Sequence, residues 1–321
     1  MRGPRRRRGL LLRVLWGVQL GLSVFALLGI LFSPISLFTH FQVHAAAAWA
    51  AWFLLLRLVP RAGGAFWNPG AARGLALGLL VLHAGAVLWS LRPLAKPDLE
   101  QPDQLTVLWY NVKHDPEAVR QAEELLGKDP PDIVCLGEVS PDMEWRLPGY
   151  AFLHRAPKGD VLIASRYPLE AKRVFRIPEG REILSAEVVV ERRRFTLLVA
   201  HVRTPVRSSH RPALAKLASL AAAEERCVLV GDLNTTPWSA EFRPLEEVGG
   251  LRHARRGRGY LASWGMLPGK PMRLPIDHAL VKGPIVDAGF ALLPWMRSDH
   301  RGFLVELEVG GPRFRRAAGD D

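Results

Sequence analysis

The hydrophobic pattern divides the chain into two parts that meet near Pro97. Before this point three apolar stretches, at about 14–33, 41–59 and 74–91, contain no acidic residue. The first has roughly the 20 residues that a helix needs to cross the hydrocarbon core of a bilayer. We therefore expect about three transmembrane helices and a linker in residues 1–97, and a separate folded domain in residues 98–321.

Two alternatives exist for the N-terminal part. The arginines Arg5 to Arg8 precede the first apolar stretch and are typical of the basic start of a cleaved signal peptide. However, the stretch is longer than an ordinary signal-peptide core, and two further apolar stretches follow it without a clear cleavage site. The other alternative is two crossings rather than three. The pattern favours three.

The distribution of basic residues predicts the orientation of these helices. The N-terminal arginines favour a cytoplasmic N-terminus, and the first connection, residues 34–44, has no Lys or Arg. The second connection carries Arg57, Arg61 and Arg73, as a cytoplasmic loop does. Three crossings then place the domain of residues 98–321 outside the cytoplasm, at the cell membrane.

After residue 105 the pattern changes to short strands and two helices. Apolar and β-branched residues predict strands at 105–110, 132–136, 161–164, 183–190, 195–200, 227–230, 279–281 and 303–309. Helical spacing predicts helices at 116–127 and 213–226. Neighbouring strands such as 183–190 and 195–200 suggest hairpins, so the pattern indicates a layered α/β or α+β domain.

Charge and cysteine content narrow the class of protein. The net charge of +12 comes almost entirely from the N-terminal part. After Pro97 the chain has 32 Lys and Arg and 31 Asp and Glu, so the formal charge of that part is close to zero. Tight non-specific binding to duplex DNA is therefore not expected of the domain, since that affinity comes from neutralising phosphates. Cys135 and Cys227 lie in apolar strands, which predicts two separate buried thiols.

Polar residues occur repeatedly at the ends of the predicted strands. They are Asn111, Glu138, His201, Asp232 with Asn234, Asp277, and the pair Asp299 and His300. A single Asn or Asp at such a position is usually a turn residue. Six placements together indicate a site, because strand ends that converge on one edge of a sheet bring their side chains together.

These residue types fit metal-dependent chemistry. Carboxylate and amide oxygens, such as those of Glu138, Asn111 and Asp299, are ligands for a hard cation such as Mg²⁺ (or Mn²⁺). A histidine can exchange a proton near neutral pH, and a carboxylate beside it fixes its tautomer, which makes His300 and Asp277 a natural pair. Other polar donors can stabilise the charge that gathers on a reacting phosphate.

The same segments resemble the endonuclease/exonuclease/phosphatase superfamily, which has the DNase I-like fold. The matching stretches run in the family's order: WYNV (109–112), DIVCLGE (132–138), GDVLIASRYP (159–168), AHV (200–202), GDLNTTPWS (231–239), IDH (276–278) and SDH (298–300). The apolar part in front of them resembles a bacterial subgroup with an N-terminal membrane region. One departure is Gly137, where many relatives carry Gln before the metal-binding glutamate.

The resemblance implies a four-layered α/β sandwich of two packed β-sheets flanked by helices. It implies that Glu138 is the principal metal ligand, helped by Asn111, with Asp299 as a second carboxylate on the metal side. It further implies the remaining roles. Asp277 would orient His300, a general base or phosphate-stabilising imidazole; Asp232 would activate the water or assist the leaving group; and Asn234 and His201 would hold the scissile phosphate.

The substrate is less defined, because members of this family cleave nucleic acids, inositol phosphates, lipids and nucleotide-like esters. We expect hydrolysis of a phosphodiester, as in a nuclease, outside the cytoplasm. The alternatives are a phospholipid headgroup phosphoesterase and a non-catalytic binding protein with the same fold. No obligate protein partner is implied.

Two groups of basic residues bear on the substrate. Arg203, Arg207, His210 and Arg211 form the first, and Arg252, Arg255, Arg256 and Arg258 the second. Solvated loops are the simpler interpretation of both groups. The functional interpretation is that the first group rims the site and attracts a phosphate.

Overall fold

Helices occupy all three apolar stretches of the N-terminal part. The computed structural model describes residues 4–31, 33–58, 68–191, 193–266 and 272–311. The helices are α1 (Pro4–Leu28), α2 (Gln42–Leu58) and α3 (Pro69–Leu91), and a 3₁₀ segment, Ser33–Phe41, precedes α2. Arg61, in the predicted second connection, lies outside the described residues.

Two of these helices have the length and composition of membrane spans. The segments Leu10–Leu28 and Gly70–Leu91, of 19 and 22 residues, are long and apolar enough to cross a bilayer. Helix α2 is apolar but has only 17 residues, and the chain directly after it is outside the described part. The expectation of three spanning helices is therefore supported for two.

Buried polar groups in this part pair with one another. Residues Met1–Arg92 form a compact unit together with the short segment Thr236–Ala240. Within it, Trp49 is fully buried, and its indole N–H donates to Ser23 Oγ at 2.6 Å. The side-chain amide of Gln42 donates to the carbonyl oxygen of Ala26 at 2.8 Å. These bonds offset the cost of burying polar atoms among apolar side chains.

The second compact unit, Pro93–Thr235 with Glu241–Asp321, contains the strands and the remaining helices. The strands of its described residues are β1 (Asp103–Asn111), β2 (Ile133–Val139), β3 (Phe152–Arg155), β4 (Asp160–Ser165), β5 (Leu169–Arg176), β6 (Glu182–Val190), β7 (Arg193–His201), β8 (Cys227–Asp232), β9 (Arg252–His253), β10 (Trp264–Met266), β11 (Met272–Leu274), β12 (Asp277–Lys282), β13 (Ile285–Leu292) and β14 (Phe303–Val309). The helices are α4 (Pro116–Leu126), α5 (His210–Ala222) and α6 (Arg243–Glu247), and a short 3₁₀ turn lies at Pro178–Gly180.

The strands form two six-stranded mixed sheets. The order is β13-β14-β1-β2-β4-β3 in the first sheet and β5-β6-β7-β8-β12-β9 in the second, while β10 and β11 pair separately. Each six-stranded sheet has one parallel pair at its centre, β1 with β2 and β7 with β8. Helices α4 and α5 make the two crossovers, as parallel neighbours require. The carboxyl ends of each parallel pair therefore lie at one edge.

Alternation of side chains along the strands builds the layers. Trp109, Cys135 and Ile163 of the first sheet pack with Val199 and Val230 of the second in one buried cluster. Residues that point the other way pack on helices, because successive strand side chains face opposite sides. The outer face of the first sheet meets α4, and that of the second meets α5 and α6. The unit is an α/β sandwich, as the resemblance predicts.

Several elements differ from the expected ones. The helix predicted at 213–226 begins earlier and ends earlier, at His210 and Ala222. Strand β5 was not expected, because it lies at a sheet edge where most of its side chains are charged or exposed and no apolar alternation remains. Both cysteines are buried and free, as predicted.

Candidate active site

The predicted site residues converge where the parallel pairs end. Asn111, His201 and Asp232 are the last residues of β1, β7 and β8, and Asp277 is the first residue of β12, which runs antiparallel to β8. The register places His201 opposite Asp232, and Asp232 opposite Asp277. These polar residues thus belong to the strands themselves, whereas the sequence pattern places them just beyond.

Glu138, His201 and Asp232 form the first cluster of potential metal ligands. One ligand atom from each lies within 4.8 Å of the others. Asn111 bridges two of them, because its side-chain amide donates to Glu138 Oε1 and to Asp232 Oδ2, both at 3.1 Å. His201 Nε2 lies 3.4 Å from Glu138 Oε1 and 3.8 Å from Asp232 Oδ2.

His300 and Asp277 share a second cluster with Asp232. His300 Nδ1 lies 2.8 Å from Asp277 Oδ2, and His300 Nε2 lies 3.7 Å from Asp232 Oδ2. The backbone N–H of His300 donates to Ser298 Oγ at 3.0 Å, which fixes the loop that carries it. The imidazole therefore lies between two buried carboxylates, with its Nε2 toward the first cluster.

Burial and charge shift the pKa values of these groups in different directions. Burial raises the pKa of Asp232 to about 6, and the charge of Asp277 adds to this shift. Burial lowers the pKa of His201 to about 4. For His300 burial acts downward, but the carboxylates of Asp277 and Asp232 outweigh it and raise the pKa to about 9. The two carboxylates therefore favour the imidazolium form of His300, whose charge lowers the pKa of Asp277 against the effect of burial.

The structure also places the two remaining predicted residues. Asn234 follows β8 in a turn in which its backbone N–H donates to Asp232 Oδ1 at 2.9 Å, and its side chain donates to the carbonyl oxygen of Val202 at 2.9 Å. Asp299 instead pairs with Lys113, whose Nζ is 3.0 Å from Asp299 Oδ2. Among the described residues Asp299 belongs to neither cluster of potential metal ligands.

Three residues of the site have a left-handed backbone. Glu138 has φ 51°, Asn234 has φ 49° and Asp160 has φ 77°. The pairing of β2 with β4 shifts between Gly137 and Val139, so Glu138 is the extra residue of a β-bulge. A bulge changes the direction of its side chain and locally interrupts the hydrogen bonds between the two strands. Non-glycine residues persist in this region only where surrounding contacts hold them, which is common at functional sites.

Asp160 is a residue of the site that the sequence pattern did not single out. Its Oδ1 lies 2.9 Å from His201 Nδ1, and it also forms an ion pair with Arg181. The pairing turns His201 Nε2 toward Glu138 and Asp232. An Asp that opens a strand directly after Gly159 resembles a turn residue, so the sequence carried no separate signal for this role.

Trp109 is the second such residue, and it explains the unusual Gly137. The indole N–H of Trp109 donates to Asp277 Oδ1 at 2.8 Å. An ideal Cβ at position 137 would lie 2.6 Å from Trp109 Cη2, so the ring fills the space of a side chain there. Gly137 offers no polar side chain next to Glu138. The indole of Trp109, on the adjacent strand, is a buried donor to Asp277.

The close approach of Trp109 to Gly137 leads to a prediction about stability. Gly137→Ala would overpack the site against the indole, and we expect it to lower the free energy of unfolding by about 1–3 kcal/mol. Trp109→Phe removes the ring atoms that clash. The double variant should therefore be less destabilised than the sum of the two single variants, measured by denaturant unfolding of the purified chain. Additive effects would show that the indole is not what requires glycine.

The two basic groups also have specific places. Arg255 is fully buried, and its guanidinium donates to the carbonyl oxygens of Leu261 and Asp277. The interpretation of this arginine as part of a solvated loop is wrong, because it supports the strand that begins at Asp277. In the first group, His210 is buried with its Nδ1 2.9 Å from Glu241 Oε2. Arg203 and Asp160 line the same cavity at the edge of the site.

The donor set fits a hard divalent cation. Glu138 and Asp232 offer carboxylate oxygens side by side, and the side chain of Glu138 is 22% exposed while that of Asp232 is 1% exposed. A cation at Glu138 would offset the negative charge that is buried at Asp232 and Asp277, and carboxylate oxygens are the ligands that Mg²⁺ and Mn²⁺ prefer. Glu138 would hold such an ion.

A carboxylate–imidazole site at the strand ends of a two-sheet α/β sandwich defines a class of metal-dependent phosphoric ester hydrolases. The sequence profile of the endonuclease/exonuclease/phosphatase family matches residues 108–300. The chain belongs to this family, and it is an enzyme of that class.

Solved structures have the same fold at low sequence identity. TDP2 of D. rerio, in a complex with a single-strand DNA product, matches with a TM-score of 0.56 and 18% identity over 64% of this chain and 99% of that one. A Beutenbergia cavernae protein of the same family matches with a TM-score of 0.53 and 20% identity, over 65% and 72% of the two chains. The 3′ phosphatase NExo from Neisseria, bound to a product DNA hairpin, has a TM-score of 0.50 and 18% identity, over 63% and 98%. A comparison with curated proteins found no match.

Proposed function

We propose that this protein is a membrane-anchored, divalent-metal-dependent enzyme that hydrolyses a phosphodiester outside the cytoplasm. The observation that carries the proposal is the arrangement of Glu138, His201 and Asp232 around the bridging Asn111, with His300 between Asp232 and Asp277. Two of the matching solved structures contain DNA products. These support a nuclease-like substrate.

In this proposal Glu138 is the principal ligand of Mg²⁺ or Mn²⁺, and Asn111 positions it. The bound ion would supply positive charge to the oxygens of the scissile phosphate. Asp299 keeps its proposed place on the metal side, where its ion pair with Lys113 would have to open toward the ion.

The remaining residues would bind the phosphate and move the proton. Asp232, with its pKa raised to about 6, can accept a proton from the attacking water. His300 is already protonated, so the proposal assigns it the phosphate-stabilising role rather than that of a general base. Asn234 and His201 would hold the phosphate oxygens, and Asp160 would orient His201.

The membrane part of the proposal rests on the two long apolar helices and on the distribution of arginines. It takes the shorter apolar helix α2 as a third crossing, because two crossings from a cytoplasmic N-terminus would leave the domain in the cytoplasm. The same helices favour a second candidate function, hydrolysis of a phospholipid headgroup ester, because they would keep the site close to lipid. A non-catalytic binding role has no such support, since the predicted catalytic side chains are all present.

The test uses the full chain purified in detergent with Mg²⁺ or Mn²⁺. Three substrates separate the candidates: bis(p-nitrophenyl) phosphate, plasmid DNA, and phosphatidylcholine vesicles. We expect hydrolysis of the first two, complete loss of activity with EDTA, and recovery when Mg²⁺ is added back. Turnover of the vesicles alone would favour the lipid function. No metal-dependent turnover of any of the three by folded protein would overturn the proposal.

A further inference from the structure

A basic cavity borders the proposed metal site and is not used by the chemistry above. It has a volume of about 300 Å³, and the cations that line it are Lys158, Arg181 and Arg203. This volume lies at the lower end of small-molecule sites, so the cavity suits a compact charged group rather than a whole ligand.

Two residues join this cavity to the site. Asp160 lines the cavity and also pairs with His201. His114 lines it as well, and its Nε2 lies 3.8 Å from Glu138 Oε2. A group in the cavity would therefore be a close neighbour of a phosphate held at Glu138 and His201.

The carboxylates around the cavity do not occupy every hydrogen-bond donor of its cations. Arg181 is paired with Asp160, yet its Nε is buried and has no hydrogen-bond partner among the described residues. The ammonium of Lys158 forms no ion pair within the described part of the chain. Glu182 accepts from the backbone N–H of Lys158 instead.

Arg203 is the third cation, and both of its contacts with Glu179 are long, since a terminal nitrogen donates to the carbonyl oxygen of Glu179 at 3.4 Å. Its Nε lies 3.9 Å from Glu179 Oε2, and both side chains are about a third exposed. Burial lowers the pKa of Arg181, and the nearby charge of Arg203 acts in the same direction, while Glu138 and Asp232 act against it. Two like charges at one cavity are costly, and an anion between them would lower that cost.

We infer that this cavity binds a second phosphate group of the substrate, next to the scissile one. The inference rests on the proposed function and narrows its substrate class to phosphodiesters that carry a further phosphate nearby. Phosphate has the right form because its oxygens can accept from more than one of the cations that line the cavity, whereas one carboxylate offers only two oxygens.

A matched pair of small substrates tests the inference. Both are thymidine 5′-(p-nitrophenyl phosphate), with and without a 3′-phosphate, and the full chain hydrolyses them in detergent with Mg²⁺. We expect the 3′-phosphorylated ester to have a kcat/KM higher by about tenfold or more, as two charge-assisted hydrogen bonds would give. Lys158→Gln and Arg203→Gln should each remove most of this preference and leave kcat/KM for the other ester within about twofold.

Arg181 is left unchanged in these variants, because it also holds Asp160. Lys172→Gln is the matched control, since Lys172 is an exposed lysine that donates to the carbonyl oxygen of Leu153 and does not line the cavity. This control should keep the preference of the unaltered chain. A preference that falls equally in the control would mean that overall charge, not the cavity, selects the substrate.

A binding measurement separates failure of this inference from failure of the function. Titration calorimetry on the Glu138→Gln chain compares thymidine 3′,5′-bisphosphate with thymidine 5′-monophosphate. Tighter binding of the bisphosphate that depends on Lys158 and Arg203 supports the cavity even without turnover. Equal hydrolysis of the two esters, or equal affinity for the two nucleotides, would overturn the inference, and hydrolysis of both esters would still leave the proposed function standing.

Discussion

Glu138→Gln should reduce kcat/KM for a simple phosphodiester by a factor on the order of 10³ at saturating Mg²⁺. Glutamine has the shape of glutamate but lacks the charge that attracts a divalent ion. Glu138 is also the more exposed of the two carboxylates that Asn111 bridges, so it is the one that an arriving ion meets. The concentration of Mg²⁺ that gives half-maximal activity should rise as well.

The control for this prediction is Glu144→Gln, which removes an exposed carboxylate of the same domain outside the site. It should keep the activity and Mg²⁺ dependence of the unaltered chain. The two variants should unfold at similar denaturant concentrations, because the substitution at Glu138 leaves one hydrogen bond with Asn111 available. If Glu138→Gln retained more than about a tenth of the activity, another residue would be the principal ligand.

Asp277→Asn should lower kcat by a factor on the order of 10³, because it removes the charge that keeps His300 protonated and oriented. Burial lowers the pKa of His300, and Asp277 is the largest influence that raises it to about 9. Without that carboxylate the pKa of His300 falls, so the imidazolium loses its proton at a lower pH. Activity in the variant should therefore fall as pH rises through a range in which the unaltered chain stays active.

NMR of histidine-labelled, metal-free protein measures this shift directly. The resonance of His300 should titrate near pH 9 in the unaltered chain and at clearly lower pH in Asp277→Asn. Asp287→Asn is the matched control, since Asp287 is a buried aspartate that pairs with Lys96 and Arg258 outside the site. An unchanged titration of His300 in Asp277→Asn would show that Asp277 does not hold its charge.

The eight inner strands of the two six-stranded sheets and most of the candidate site were accessible from the sequence for one physical reason. The buried central strands are runs of apolar residues, so polar residues at their ends, such as Asn111 and Asp232, stand out. Strand β5 could not be found in this way, because an edge strand with charged side chains has no apolar pattern. The buried Arg255 was missed for the converse reason, since a charged residue gives no sign that backbone carbonyls will satisfy it.

Contacts between residues that are far apart in the chain could not be predicted from the sequence either. Asp160 lies in β4 of the first sheet and His201 in β7 of the second, so their pairing depends on how the sheets pack. The residues around Asp160 and those around His201 therefore do not by themselves indicate that the two side chains are close. The same holds for Trp109, whose ring reaches Asp277, 168 positions away in the chain.

Trp109 and Gly137 have a consequence for how such a chain changes over time. A larger residue at 137 is excluded while the indole is present, and loss of the indole opens a cavity and deprives Asp277 of a donor. Each position therefore restricts the other, and a single substitution at either is harmful until the second follows. A reader who compares sequences position by position would interpret Gly137 as a missing functional residue. The two positions are better interpreted together, because the indole of Trp109 fills the space of a side chain at 137 and donates to Asp277.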